Sequence, residues 1–243
     1  MKKLVSIILL AVLAIASTPT NAKSAMVALV NSPTGNATFL ANFKSFIEAR
    51  GDSFVRNPSS FSGVDVVFNV RQPVSTDMKN WVLGGGLLIT EYTGIKNAGD
   101  AGLLSYSDTG GGNAGTGTSV TFTAAGISRG LNIGMTNPYS DGGATEFFRN
   151  GIAVGSGVEV LATRPVSGGG TLPAIVGATA GSGYVLGIAY DWGDAFIPNS
   201  ALTRQLITNA MTPVPEPSSL VLAGAGAALL GLIHVRRQKR GAK

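Results

Sequence analysis

The chain has 243 residues, a formal charge of +5, a pI near 9.6 and no cysteine. Without cysteine it has no disulfide framework, zinc ribbon, thiol nucleophile or iron–sulfur site. Seven of the 18 basic residues (Lys2, Lys3, Arg236, Arg237, Lys239, Arg240 and Lys243) lie at the two ends, so residues 23–213 hold 11 basic against 12 acidic residues. That stretch has no basic stripe to neutralise phosphates, which argues against a nucleic-acid partner.

Lys2 and Lys3 lead into an apolar run over residues 4–16, which gives way to Ser17-Thr18-Pro19-Thr20-Asn21-Ala22. A basic start, an apolar stretch too short to span a bilayer and small residues at Thr20 and Ala22 make residues 1–22 a signal peptide. Signal peptidase is then a partner, and the mature chain begins at Lys23. An uncleaved N-terminal anchor is the alternative.

Residues 26–31 are a short apolar run that ends in Ser32-Pro33-Thr34-Gly35-Asn36, the pattern of a buried strand. Phe39, Leu40, Phe43, Phe46 and Ile47 fall on one helical face, and that helix stops at Arg50-Gly51. Short strands follow over residues 53–57 and 64–69. Thr76 is positioned to cap a brief helix, Gly84-Gly85-Gly86 ends it, and a strand runs over residues 87–90. From Gly94 to Gly157 the chain is rich in Gly, Ser, Thr and Asn, with one strand predicted over residues 119–123. Strands return over residues 158–162, 174–177 and 184–190, and Ala180-Gly181-Ser182-Gly183 suits a hairpin between the last two. Asn199-Ser200 introduces a closing helix through Leu202, Leu206 and Ile207 that ends near Met211. Wholly apolar strands alternating with amphipathic helices predict an α/β domain over residues 23–213, a flavodoxin-like three-layer sandwich with a mostly parallel sheet.

Three stretches make this body resemble the class I glutamine amidotransferase-like family: Gly84-Gly85-Gly86-Leu87-Leu88-Ile89-Thr90, Gly126-Ile127-Ser128-Arg129-Gly130-Leu131, and residues 173–194 ending in Asp191-Trp192-Gly193-Asp194. A generic flavodoxin-like domain is the alternative. In catalytic members of the family a cysteine sits in a sharp turn after a central strand and works with a histidine and a glutamate. The corresponding turn here is Glu91-Tyr92-Thr93-Gly94, with no cysteine, and the single histidine is His234, far outside the body. The resemblance therefore implies the fold without the triad, and the body lacks the usual base of a Ser-His-Asp or Cys-His arrangement.

Gly110-Gly111-Gly112 and Gly168-Gly169-Gly170 lack the Lys and Ser/Thr of a phosphate loop and read as plain loops. Residues 108–113 carry oxygen ligands of the kind calcium takes but lack the closing glutamate of an EF-hand. In open α/β sheets ligands gather at the carboxyl ends of strands. This makes Glu91, Tyr92, Asp191, Trp192 and Asp194 the candidate ligand-binding residues, the aromatics as stacking faces and the carboxylates as hydrogen-bonding groups. Two alternatives stay open: a capped turn with a packed tryptophan, and a carboxylate-based hydrolase acting on glycans. The expectation is a non-catalytic binding or structural module, binding without turnover if it binds at all, with no catalytic residue, metal or cofactor.

At the C-terminal end, Val214-Pro215-Glu216-Pro217-Ser218-Ser219 precedes an apolar or small-residue run over residues 220–235 and then the basic cluster from Arg236. A helix over that run is roughly 24 Å long, slightly short of the hydrocarbon thickness, and Arg236 can snorkel to close the gap. Proline bars the helix from extending inward past Pro217. This layout resembles the PEP-CTERM sorting signal, with residues 214–243 as sorting segment, transmembrane helix and basic tail. The resemblance implies an exosortase acting at Pro215, Glu216 and Pro217, and an association with exopolysaccharide and biofilm. It also implies export, anchoring in the inner membrane with the body in the periplasm, and then a cell-surface or extracellular destination. An ordinary C-terminal membrane helix with a proline linker is the alternative.

Overall fold

The computed structural model describes residues 24–32, 35–108, 119–140, 152–165 and 169–212. The signal peptide, the loop residues 109–113, Gly168, the sorting motif, the apolar span over residues 220–235 and His234 lie outside the described residues. Among the described residues no helix is long and apolar enough to cross a membrane.

The first strand, β1 (Met26–Val30), is followed by α1 (Ala37–Ala49), β2 (Ser53–Arg56), β3 (Val66–Val70), α2 (Thr76–Leu83) and β4 (Leu87–Glu91). The Asn36 side chain starts α1 by accepting from the Thr38 and Phe39 N–H groups. Ser75, not Thr76, caps α2: its Oγ accepts from the Met78 N–H at 3.2 Å, and Thr76 is already helical. Next come α3 (Gly94–Asp100), β5 (Tyr106–Asp108), β6 (Thr121–Phe122) and α4 (Ala124–Ser128). The chain then forms β7 (Ile152–Val154), β8 (Val158–Pro165), β9 (Thr171–Ala180), β10 (Gly183–Ile188), α5 (Trp192–Ala195) and α6 (Ala201–Met211).

Eight strands form one sheet in the order β2-β1-β3-β4-β10-β9-β8-β6, and β5 pairs with β7 separately. From β2 to β10 the neighbours are parallel, and from β10 to β6 they are antiparallel. The change of direction has a local cause. Gly181, at φ 60, and Ser182 join β9 to β10 directly, and a turn that tight can only connect antiparallel strands.

The parallel part has the strand order of a flavodoxin-like sheet, with the order reversing between β1 and β3. Phe68, Ile89 and Leu186 lie side by side in register, and Phe68 meets Phe43 of α1 at 5.0 Å between ring centroids. Gly187, one residue further along β10, points to the other face, where Ile95 of α3 comes close enough to leave a side chain little room. Helices therefore cover both faces of the sheet. On the α1 face an aromatic cluster of Phe39, Phe43, Phe68, Trp192 and Phe196 fills the core. On the same side Asn209 of α6 donates to the Leu131 and Ile133 carbonyls, fastening the turn after α4.

Candidate functional site

The site is built on the residues that follow β1, β3, β4 and β10. Near the end of β3 the buried Asn69 makes a two-way clamp: its Nδ2 donates to the Gln72 carbonyl at 2.8 Å and its Oδ1 accepts from the Gln72 N–H at 3.1 Å. Asn97 of α3 donates to the same carbonyl. The clamp holds Arg71 in the left-handed region, at φ 59, and turns its side chain back across the end of β4.

There the guanidinium joins two carboxylates, Glu91 at the end of β4 and Asp191 in the loop after β10. Arg71 Nε donates to Glu91 Oε1 at 3.0 Å, and the Arg71 Nη2 group pairs with Asp191 Oδ2. The remaining oxygens are also engaged. Glu91 Oε2 accepts from the Gly193 N–H at 2.8 Å, and Asp191 Oδ1 accepts from the Asp194 N–H at 3.2 Å as the N-cap of α5. Glycine at 193 suits this close approach, because a Cβ there would lie 3.0 Å from Glu91 Oε2, tighter than an ordinary contact. Burial pushes the Glu91 carboxyl up to about 7, against the lowering influence of the Arg71 charge and the Gly193 N–H, while the charge of Asp194 adds to the rise.

Beside this bridge lies a cleft of about 190 Å³, lined among others by Asn31, Asn36, Arg71, Glu91, Asp191 and Asp194. It opens at the carboxyl edge of the sheet, next to the point between β1 and β3 where the strand order reverses, the usual ligand position in such sheets. Among the described residues no group of three His, Cys, Asp or Glu side chains is placed to hold a metal ion.

The structure brings Glu91, Tyr92, Asp191, Trp192 and Asp194 together, because β4 and β10 are parallel neighbours with Glu91 opposite Ile188. Their individual settings differ from the sequence reading. Trp192 is 0% exposed and packs against Phe39, Phe43, Phe68 and Phe196, so it offers no stacking face; hydrophobic burial claims the whole ring. Tyr92 is 8% exposed, and the Arg71 guanidinium lies 4.9 Å from its ring centre, so its accessible face is covered by a cation. Glu91 and Asp191 are buried in the bridge, and Asp194 alone of the five is exposed at the cleft. Pro215, Glu216 and Pro217 lie outside the described residues. Arg71 was the residue that sequence reasoning missed. Its signal was present: a lone basic residue directly after a buried strand, next to a strand that ends in a carboxylate.

Residues 213–238 match the model of the PEP-CTERM protein-sorting motif. No curated protein matches the sequence. The fold is similar to that of a β-galactosidase from Bacillus circulans sp. alkalophilus, with 15% identity and a TM-score of 0.51 over 76% of this chain and 30% of that one. An exo-β-1,4-mannosidase from an Opitutaceae bacterium gives 16% identity and a TM-score of 0.51 over 80% of this chain and 37% of that one. A protein assigned as a GMP synthase component from Thermoplasma acidophilum gives 10% identity and a TM-score of 0.54 over 77% of this chain and 92% of that one. The chain thus spans about a third of the length of the two glycosidases. At such identities the likeness is one of fold, and it includes amidotransferase-like structures. The sorting motif is informative about fate: it implies that the chain is exported, held at the membrane and delivered to an exosortase.

Proposed function

We propose that the chain is an exosortase-sorted extracellular protein whose body is a non-catalytic binding module, with the cleft at the carboxyl edge of the sheet as its ligand site. The observation that carries this reading is the Arg71 bridge. A catalytic carboxyl has to reach a substrate, but Glu91 is fully buried with one oxygen on Arg71 and the other on the Gly193 N–H. The turn that holds the cysteine in amidotransferase-like enzymes carries Tyr92 instead, with Arg71 across its ring. The sequence supplies no thiol, and its one histidine is His234.

A glycan of the exopolysaccharide class is the expected ligand. The association of the sorting signal with exopolysaccharide supports it, and so does the occurrence of this fold within a β-galactosidase and a mannosidase. In this reading signal peptidase frees Lys23, the apolar run over residues 220–235 holds the body on the periplasmic side, and processing at Pro215-Glu216-Pro217 sends it to the surface or medium. A second reading, hydrolysis of glycans by carboxylates, is favoured by one observation: a carboxyl that titrates near neutrality beside a second carboxylate is what a general acid needs. Isothermal titration of the mature protein against purified host exopolysaccharide, with parallel product analysis, separates the two. Binding with intact glycan is the expected result; hydrolysis that disappears in Asp191→Asn overturns the non-catalytic reading.

A further inference from the structure

We propose that the Arg71–Glu91–Asp191 bridge is a proton-operated latch, closed when Glu91 is ionised and opened toward the cleft when it is protonated. The two oxygens of Glu91 are not equivalent. Oε2 accepts a backbone N–H from Gly193, a donor fixed by the α5 turn, whereas Oε1 accepts from Arg71 Nε on a side chain that is 40% exposed. A proton therefore settles on Oε1. The hydroxyl it creates sets a donor opposite the Arg71 Nε–H and removes the charge that attracted it, so this arm of the bridge opens.

What remains is the terminal pair with Asp191, about which the guanidinium can pivot. The Gly193 contact survives, so the α5 turn and the buried Trp192 stay in place and the change is confined to the cleft. The charged groups that face Glu91 are Arg71 from the turn after β3, and Asp191 and Asp194 from the loop after β10; α1 contributes Asn36 and Phe39 to the cleft, neither of which titrates. Burial holds the Glu91 carboxyl up at about 7, so the latch works within the pH range that an extracellular protein meets. The mechanism needs no ligand, and it stands or falls separately from the binding role of the cleft. If that role holds, a ligand group that pairs with Arg71 favours the open form and one that neutralises Asp194 favours the closed form, by linkage.

The test is ¹⁵N NMR of arginine Nε–H groups, together with ¹³C NMR of side-chain carboxyls, in the mature protein from about pH 5 to about pH 9. The expected result is an Arg71 Nε–H protected from solvent exchange at the alkaline end, losing about tenfold or more of that protection with the same midpoint, about 7, as the Glu91 carboxyl. Glu91→Gln, which cannot offer an acceptor to Arg71 and Gly193 at once, should show the open behaviour at every pH. Unchanged Arg71 protection across the range, a Glu91 midpoint below about 5, or a transition that persists in Glu91→Gln overturns the latch. Should Glu91→Gln fail to fold, the two titrations of the unsubstituted protein decide it alone.

Discussion

Replacing Arg71 with alanine probes the site most directly, and its effect should depend on pH. The substitution strips the partner from Glu91 Oε1 and Asp191 Oδ2, on residues that are 0% and 2% exposed. Deleting one member of a buried ion pair costs about 3–5 kcal/mol. Because the Arg71 side chain is 40% exposed, water screens and partly replaces it, and about 2 kcal/mol is the better expectation at alkaline pH. The folded-state value of Glu91, about 7, lies above its ordinary 4.5, so its contribution to stability is fully present below 4.5 and is lost as pH rises through 7. That loss amounts to about 3 kcal/mol over the whole window. In Arg71→Ala the charge that restrains the rise is gone, so the folded-state value climbs further and the loss continues to higher pH. Near pH 5 Glu91 is already protonated in the folded protein, and only the Asp191 arm is sacrificed. Urea denaturation of both proteins at about pH 5 and about pH 8 should therefore show a larger gap at the alkaline pH. Equal gaps, or none at either pH, would refute the assignment of Arg71 as the group that holds Glu91 ionised.

Trp192→Ala should cost about 3–5 kcal/mol by opening a cavity among four phenylalanines, read as a fall in the urea midpoint; a neutral result would mean that the ring is not core. Ser75→Ala should cost about 1 kcal/mol while Thr76→Ala costs close to nothing, which distinguishes the observed cap of α2 from its neighbour. Deleting residues 220–243 should turn a membrane-associated chain into a soluble periplasmic one by cell fractionation, and a truncated chain that still sediments with membranes would remove the anchor from the sorting account.

Strand and helix order in the first ninety or so residues was legible because burial writes itself into periodicity. The apolar run at residues 26–31 and the one-faced spacing of Phe39, Phe43, Phe46 and Ile47 became β1 and α1, and Gly181-Ser182 became the turn between β9 and β10. The short α3 escaped because Gly94-Ile95-Lys96-Asn97-Ala98-Gly99-Asp100 has poor helix propensity and no side-chain cap; packing of Ile95 and Ala98 into the core decides it instead. β5 and β7 pair with each other over three residues each, too few to show a period of two. At the site, the meeting of Glu91 with the 191–194 loop followed from strand adjacency, which topology rules supply. The roles did not follow. Whether Trp192 packs inward or lines a cleft depends on α1 lying across it, and the pairing of Arg71 with Asp191 spans 120 positions, which no local pattern encodes.

The distribution of backbone strain adds a last step to the functional argument. Asn57, Arg71 and Tyr92, at φ 43, 59 and 44, are non-glycine residues in the left-handed region, and each directly follows a strand: β2, β3 and β4 in turn. Such a conformation costs of order 1–3 kcal/mol per residue and persists only where surrounding contacts enforce it. Here the contacts are visible. Asn57 Oδ1 accepts from the Asn31 N–H at the end of β1, Arg71 closes the bridge to Glu91 and Asp191, and Tyr92 donates its N–H to the Ile188 carbonyl at the end of β10. Each strained residue thus ties its own strand end to a different neighbour, and together they fix polar groups along the carboxyl edge from β2 to β10. Glycine would relieve the strain at Asn57 and Arg71 but would remove the side chains that make two of those ties. The fold tolerates strain along this edge to hold a defined polar surface, which is the physical reason to look for a ligand there even though the sequence carries no cysteine.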